Sequence, residues 1–222
     1  VKTMAELHQS AFSFDVRVLN GRADFLTAPC NAEAVAMIDG FSKSGFYAGL
    51  IYGEKGCGKT HLSRLFAEVV HEKTGKQTAF LTKPDLIEAK YAVLKITLPV
   101  DETALFHCLN DFKNRNGYLL MTAESASAQW GLRLPDLITR LKAVPSVAIG
   151  EPDESLLNAL LLKQFADRQL TVAPEVIAYL TKNMERSFKA VSFIVKRADE
   201  LSLERKNAIT IPLIKQVLAE FR

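Results

Sequence analysis

One short segment limits the folds open to this chain more than any other, the glycine-rich string GEKGCGKT at residues 53–60. Its spacing is G-x-x-x-x-G-K-T, and it lies between a short apolar run at residues 48–53 and a helical pattern at residues 60–73. Glycines let backbone N–H groups turn toward a phosphate, Lys59 supplies positive charge, and Thr60 offers a hydroxyl to Mg²⁺. The segment therefore predicts a phosphate-binding loop in an α/β domain.

From this loop we predict contacts to ADP or ATP, with Thr60 also reaching Mg²⁺. The contacts run along the loop and into the first turn of the helix. The predicted nucleotide-binding residues of this segment are Gly53, Gly56, Cys57, Gly58, Lys59, Thr60 and His61. The sequence does not decide between ADP and ATP.

Short apolar runs alternate with helical patterns up to residue 150. We predict strands at 48–53, 78–81, 91–96, 118–122 and 146–149, and helices beginning at Asn31 as a cap, at 60–73, around 105–112 and at 136–142. This alternation predicts a parallel sheet flanked by helices. After Gly150 the pattern is helical only, at 152–170, 174–184, 187–206 and 212–221. We therefore predict an extended arm at 1–23, a nucleotide-binding core at 24–150 and a small all-α domain at 151–222.

Composition excludes several classes of protein. Of the 222 residues 48% are hydrophobic and 24% are charged, which predicts a globular fold, and a net charge of +3 does not require a nucleic acid or a membrane as partner. Three scattered cysteines argue against a disulfide framework or a zinc site. The chain has no long apolar run, and its opening does not resemble a signal peptide. We expect a cytoplasmic protein with no membrane contact.

Binding a nucleotide does not by itself imply hydrolysing it. Phosphate loops of this kind normally work with carboxylates that follow a second apolar strand. Here the run at 91–94 is followed by Lys95, Ile96 and Thr97, and the next acids, Asp101 and Glu102, follow Pro99. We interpret both acids as the first turn of the next helix, where negative charge suits the helix dipole, with Mg²⁺ contact as the alternative. ATP turnover by the chain itself should be weak or absent, and its status as an enzyme stays open.

Several segments taken in order resemble the AAA+ branch of the bacterial replication initiator DnaA, and more closely its shortened relatives of the Hda type. The segments are DFLTAPCNAEAV, GEKGCGKTHLSRLFA, DETALFHCLN, YLLMTAESASAQW, LPDLITRL, IGEPDESLLNALLLKQFADRQL and MERSFKAVSFIVKRAD. The resemblance implies an AAA+ core with a helical lid and a bound adenine nucleotide. It also implies negative control of replication initiation, in which ATP hydrolysis by DnaA is promoted by a protein associated with the sliding clamp.

The resemblance assigns roles to individual residues. Thr122 matches the sensor 1 position, which reads the outer phosphate, with a local backbone hydrogen bond as the alternative role. Arg140 matches the arginine finger that enters a neighbouring active site, with a solvated helix face as the alternative. Lys189 stands where the family has its sensor 2 arginine, so it keeps the charge and loses the bidentate fork, and Arg186 is a substitute. Together with Lys95 at the degenerate Walker B position, this departure puts ATPase activity of the chain in doubt.

The arm contains a pattern of its own. Gln9, Phe12 and Phe14 resemble the linear motif by which replication proteins dock on the sliding clamp, with aromatic side chains entering an apolar pocket. The alternative is that both phenylalanines pack on the protein's own surface.

Two rival functions stay open at this point. One is a self-sufficient AAA+ ATPase of the helicase-loader or transposition-helper type, and the other is a small-molecule phosphotransferase. A homo-oligomer is also open. We expect no sequence-specific DNA binding, because no basic patch interleaved with aromatic residues occurs.

Overall fold

The computed structural model describes residues 26–205 and 207–221, so the arm with Gln9, Phe12 and Phe14 lies outside the described residues. Strands and helices alternate in the first part of the chain. Their order is α1 (Ala32–Gly40), β1 (Ala48–Tyr52), α2 (Lys59–Thr74), β2 (Thr78–Leu81), β3 (Tyr91–Lys95), α3 (Glu102–Asn114), β4 (Tyr118–Ala123), a 3-10 turn (Ser127–Gln129), α4 (Pro135–Lys142) and β5 (Ser146–Ala148). Four helices follow: α5 (Glu154–Asp167), α6 (Pro174–Asn183), α7 (Phe188–Arg205) and α8 (Ile211–Phe221).

The five strands form one sheet in the order β2-β3-β4-β1-β5, and every neighbouring pair is parallel. The predicted parallel sheet flanked by helices is therefore confirmed. The register sets Lys95 of β3 and Ile51 of β1 on either side of Thr122 in β4. Since parallel strands end at a common edge, the loop after β1 and the last residues of β3 and β4 lie next to each other.

Alternate side chains of the strands enter two different cores. Val93 and Leu120 pack under α1 and α2, whereas Leu94 and Met121 pack under α3 and α4. This alternation follows from the pleat of a β-strand, and it gives the central strands their continuous apolar sequence. A residue's position in the strand therefore fixes which group of helices it faces.

A third hydrophobic core joins α5 to α8 and is built from residues between Leu157 and Val217. The start of α5 is capped by Asp153, whose carboxylate accepts a hydrogen bond of 2.8 Å from Leu156 N, and Pro174 occupies the first turn of α6. The boundary at residue 150 stays a prediction. In the described part of the chain, no helix has the length and apolar character needed to span a membrane.

Candidate nucleotide site

The glycine-rich loop connects β1 to α2 at the carboxyl edge of the sheet. Gly56 and Gly58 both have φ of +93°, a region that side-chain-bearing residues rarely adopt. At Gly53 space is the constraint, since an added Cβ would lie 3.0 Å from Cys57 Sγ and 3.1 Å from Ile149. The loop can therefore bring its backbone close to a ligand only with glycine at these positions.

Lys59 begins α2, and its ammonium group folds over the loop. Nζ donates hydrogen bonds of 2.6 Å to the carbonyl of Gly53 and 2.7 Å to that of Glu54. It also lies 3.5 Å from Cys57 Sγ. The charge of Lys59 is thus held at the loop, where a phosphate oxygen would replace the carbonyl oxygens as acceptor.

Cys57 is a buried filler of this loop. Burial raises the pKa of its thiol, although the positive charge of Lys59 acts in the opposite direction. All three cysteines of the chain are free thiols. A neutral, buried thiol suits packing.

A cavity of about 380 Å³ lies between the loop and α5. That volume is in the range of small-molecule sites. Its lining combines loop residues with residues from both sides: Leu26, Asn31, Gly56, Cys57, Gly58, His61, Leu156, Leu160, Lys163, Gln164, Asp167, Arg168 and Phe188. Four of the predicted binding residues, Gly56, Cys57, Gly58 and His61, thus line one cleft that α5 closes.

Asn31 is buried at the edge of this cavity and has a different role from the one predicted. Its side chain does not cap α1. Oδ1 accepts a hydrogen bond from Ala28 N and Nδ2 donates one to Leu26 O, each at 2.9 Å. Asn31 therefore holds the segment before α1 in place. Its side-chain amide cannot also cap the helix, because both of its polar atoms already bond to that segment.

A second cavity, of about 310 Å³, lies on the other side of Lys59 and Thr60. Thr122 and Glu124 enter it from the end of β4, and Lys95 enters it from the end of β3. Thr122 is buried, and its sensor 1 role stays a prediction. Lys59, Thr60 and Thr122 therefore line the same cavity.

The two acids considered as Mg²⁺ ligands are engaged in holding helices. Asp101 accepts a hydrogen bond of 2.9 Å from Ala104 N and so caps α3. The carboxylate of Glu102 accepts hydrogen bonds of 2.9 Å from Arg133 N and 2.7 Å from Leu134 N, just before α4. The described residues contain no group of three or more His, Cys, Asp or Glu side chains placed to hold a metal ion.

Arg140 lies in the last turn of α4, on the α3 side of the sheet. Its guanidinium carbon is 5.1 Å from the centre of the Phe106 ring, a cation–π distance. Its Nε is buried and has no hydrogen-bond partner in the described part of the chain. Arg140 is not among the residues that line the cavities around the loop.

The two lid cations considered from the sequence have different surroundings. Arg186 lines a cavity of about 540 Å³ beside Gly53 and Glu124, and its guanidinium lies 3.5 Å from the exposed carboxylate of Glu154. Lys189 instead holds its ammonium 5.9 Å from the centre of the Phe221 ring. It is the backbone nitrogen of Lys189 that approaches the loop, 3.7 Å from a Cβ built at Gly56.

Sequence reasoning missed some residues that line these cavities. Glu124 had a usable signal, because it lies two residues beyond Thr122 at the carboxyl end of a strand. Trp130, Leu26 and Gln164 had none, since their positions depend on packing between distant segments.

These features define the structural class of the protein. A glycine-rich loop between a parallel strand and a helix, closed by a bundle of four helices, makes the molecule a P-loop protein of the AAA+ type. Residues 153–218 match the family model of the Hda lid domain. The chain is 26% identical over 185 residues to an uncharacterized protein of Haemophilus influenzae, covering 76% of this chain and 80% of that protein. It is 25% identical over 191 residues to the chromosomal replication initiator DnaA of Streptococcus thermophilus, covering 69% of this chain and 42% of DnaA.

Solved structures show the same fold. Domain III of Thermotoga maritima DnaA superposes with a TM-score of 0.76 at 15% identity, covering 90% of this chain and 95% of that domain. AMPPCP-bound DnaA of Aquifex aeolicus gives a TM-score of 0.64 at 18% identity, covering 83% of this chain and 67% of that structure. Residues 153–218 thus match the Hda lid family, and the chain as a whole is related in sequence to DnaA and shares the fold of its domain III.

Proposed function

We propose that this protein is a negative regulator of replication initiation that acts on the initiator DnaA. It holds ADP or ATP, docks on the sliding clamp and promotes hydrolysis of the ATP bound to DnaA, in the cytoplasm. One observation carries the proposal: a DnaA-like fold with an Hda-type lid has Lys95 in its phosphate pocket, where a hydrolysing site needs a carboxylate. Such a site suits a nucleotide that stays bound and is recognised without being hydrolysed.

Nucleotide binding is supported by the loop and its two cavities. The positive φ of Gly56 and Gly58 shapes the loop for phosphate, and Lys59 provides the charge. The cleft beneath α5 offers apolar side chains such as Leu156 and Leu160 for a base and a sugar. The Aquifex DnaA structure with AMPPCP supports a nucleoside triphosphate as one ligand.

Weak ATP turnover is supported by Lys95, the last residue of β3, and by Ile96, which follows it. Lys95 has no carboxylate with which to hold a metal-bound water, and its side chain carries a positive charge instead. Ile96 is buried in the core under α3 and has no group that accepts a proton. The residues present fit a bound nucleotide better than they fit its hydrolysis.

Arg140 is the residue we propose to act in the active site of DnaA. A guanidinium supplied in trans must be held in place without being neutralised by a carboxylate of its own subunit. Arg140 meets this requirement, because its partner is the Phe106 ring and it makes no ion pair among residues 26–205 and 207–221. Its loss should lower the rate of hydrolysis more than the stability of the complex.

Clamp docking through Gln9, Phe12 and Phe14 rests on the sequence motif alone. A segment that carries two aromatic anchors close together suits insertion into an apolar pocket of a partner. The part of the chain described above would then be tethered near DNA without needing a DNA-reading element of its own.

The test is phosphate release by ATP-loaded DnaA mixed with clamp on DNA and this protein. We expect stimulation by the wild type and by Lys142→Ala, an exposed neighbour on the same helix. Arg140→Ala should lose about a thousandfold of the stimulated rate while keeping its nucleotide. Stimulation by Arg140→Ala at the wild-type rate would overturn the role of Arg140, and no stimulation by the wild type would overturn the function.

A further inference from the structure

Lys95 is the last residue of β3 and stands where related sites bring their metal-binding carboxylate. The pleat places it on the same face as Val93, which packs in the core beneath α2. Lys95 accordingly lines the cavities on that side together with Thr60 and Thr122. Lys95 therefore lines the pocket at the start of α2, within reach of where the outer phosphates of a nucleotide would lie.

The charges of the described residues around this pocket favour an anion over a metal cation. Lys59 and Lys95 line it with Glu124 as the one carboxylate, and Arg64 lines the adjoining groove with Lys95. A divalent cation placed here would be repelled by two ammonium groups. Mg²⁺ usually takes one or two carboxylates in addition to phosphate oxygens. The pocket thus supplies positive charge from its own side chains.

We propose that the ammonium group of Lys95 takes the place of the divalent cation, so that this site binds a metal-free nucleotide. The proposal rests on the proposed nucleotide binding and identifies the form of the ligand. Two lysines then neutralise part of the phosphate charge, Lys59 from the loop and Lys95 from β3. The hydroxyl of Thr60 donates a hydrogen bond to a phosphate oxygen instead of coordinating Mg²⁺.

The competing arrangement is a Mg²⁺ ion held with the help of Glu124. With Thr60, Glu124 offers two oxygen ligands, which is the smallest set that would place Mg²⁺ in this pocket. The two arrangements make opposite predictions, because chelation of Mg²⁺ removes one of them and leaves the other unchanged. Substitution of Glu124 separates them as well.

The experiment measures ATP affinity of the full chain by calorimetry, once in EDTA and once in excess Mg²⁺. Trp130 is the single tryptophan of the chain and lines the same pocket, so its fluorescence gives a second, independent titration. The variants are Lys95→Gln, Lys95→Asp and Glu124→Gln. Lys142→Asp, at an exposed lysine of α4, is the control for the same change of charge. Circular dichroism checks that each variant is folded.

We expect wild type, Lys142→Asp and Glu124→Gln to bind ATP within about threefold of one another in EDTA and in Mg²⁺, and Mg²⁺ to change wild-type affinity by no more than that. Lys95→Gln should bind at least about tenfold more weakly in EDTA. Lys95→Asp should lose at least as much in EDTA and recover in Mg²⁺, because the new carboxylate restores a metal ligand.

Two results would overturn the proposal: loss of wild-type binding in EDTA, or unchanged EDTA binding by both Lys95 variants. The proposed nucleotide function has its own control in Lys59→Ala. If the wild type binds ATP and Lys59→Ala does not, the loop is confirmed whatever Lys95 does. If the wild type binds no nucleotide in either buffer, both proposals fall.

Discussion

Lys59 is the residue on which the proposed nucleotide site should depend most. Its ammonium group already sits among the carbonyl groups of the loop, so little reorganisation is needed to present it to a phosphate. Lys59→Ala should weaken ADP binding at least about tenfold, or about 1.4 kcal/mol. Calorimetry with ADP measures this change. Lys55→Ala, at an exposed lysine of the same loop, is the matched control and should bind nearly as the wild type does.

An equal affinity of Lys59→Ala and wild type for ADP would contradict the assignment of the phosphate loop. Lys59 was also the site residue most securely read from sequence, because a strand, a glycine-rich octet and a helix fix its position together. The surroundings of Arg186 and Lys189 were harder to predict from sequence. Both stand near the start of α7, and the local pattern does not encode that Arg186 lines the cavity beside Gly53 while the ammonium of Lys189 lies near the Phe221 ring.

At the scale of elements, α3 and α4 are joined by one carboxylate. Glu102 lies in the first turn of α3 and accepts hydrogen bonds from the two backbone nitrogens that precede α4. Those N–H groups have no partner within their own helix, so the carboxylate takes the place of a capping residue. The helix that carries Arg140 is thereby held to α3, which carries Phe106.

Glu102→Ala should lower the free energy of unfolding by about 1–2 kcal/mol, because it removes a charged acceptor from two backbone donors. Chemical denaturation measures the change. Glu68→Ala, at an exposed position within α2, serves as control and should change the free energy by less than about 0.5 kcal/mol. A destabilisation no larger than that of the control would contradict the capping role.

The elements themselves were predictable because their sequences are locally consistent. Each strand is a short apolar run and each helix has an apolar face, and the observed bounds differ from the predicted ones mostly by one or two residues. The hydrogen bond between Glu102 and Leu134 spans 32 residues, and no local sequence pattern predicts it. The cavity beneath α5 was unpredicted for the same reason.

At the scale of the molecule, the two residues after the β3 apolar run limit what the chain can do alone. The purified protein should hydrolyse ATP far more slowly than about one per second, the low end of typical enzyme turnover. Lys95→Asp should not raise the rate to that level, because Ile96 still provides no base. Phosphate release by the protein alone measures both rates. Turnover near one per second that is lost in Lys59→Ala would instead favour the self-sufficient ATPase.

Clamp docking should be separable from nucleotide binding. Replacing Phe12 and Phe14 together by Ala should abolish clamp binding, since both apolar anchors are lost, and leave nucleotide affinity unchanged. Surface plasmon resonance with immobilised clamp measures the first effect and calorimetry the second. Phe46→Ala, at an exposed phenylalanine within the described part, is the control. Clamp affinity of the double variant equal to that of wild type would contradict docking through the arm.

The separate hydrophobic core of α5–α8 has a consequence for how the molecule melts. Two cores share the sheet, whereas the third is closed within residues 157–217, so each part has the means to unfold in its own transition. The proposed nucleotide between the loop and α5 would bind only when both parts are folded, and its binding energy would then add to the stability of each. Scanning calorimetry should therefore show two overlapping heat-absorption peaks that merge into one sharper peak as ADP is added.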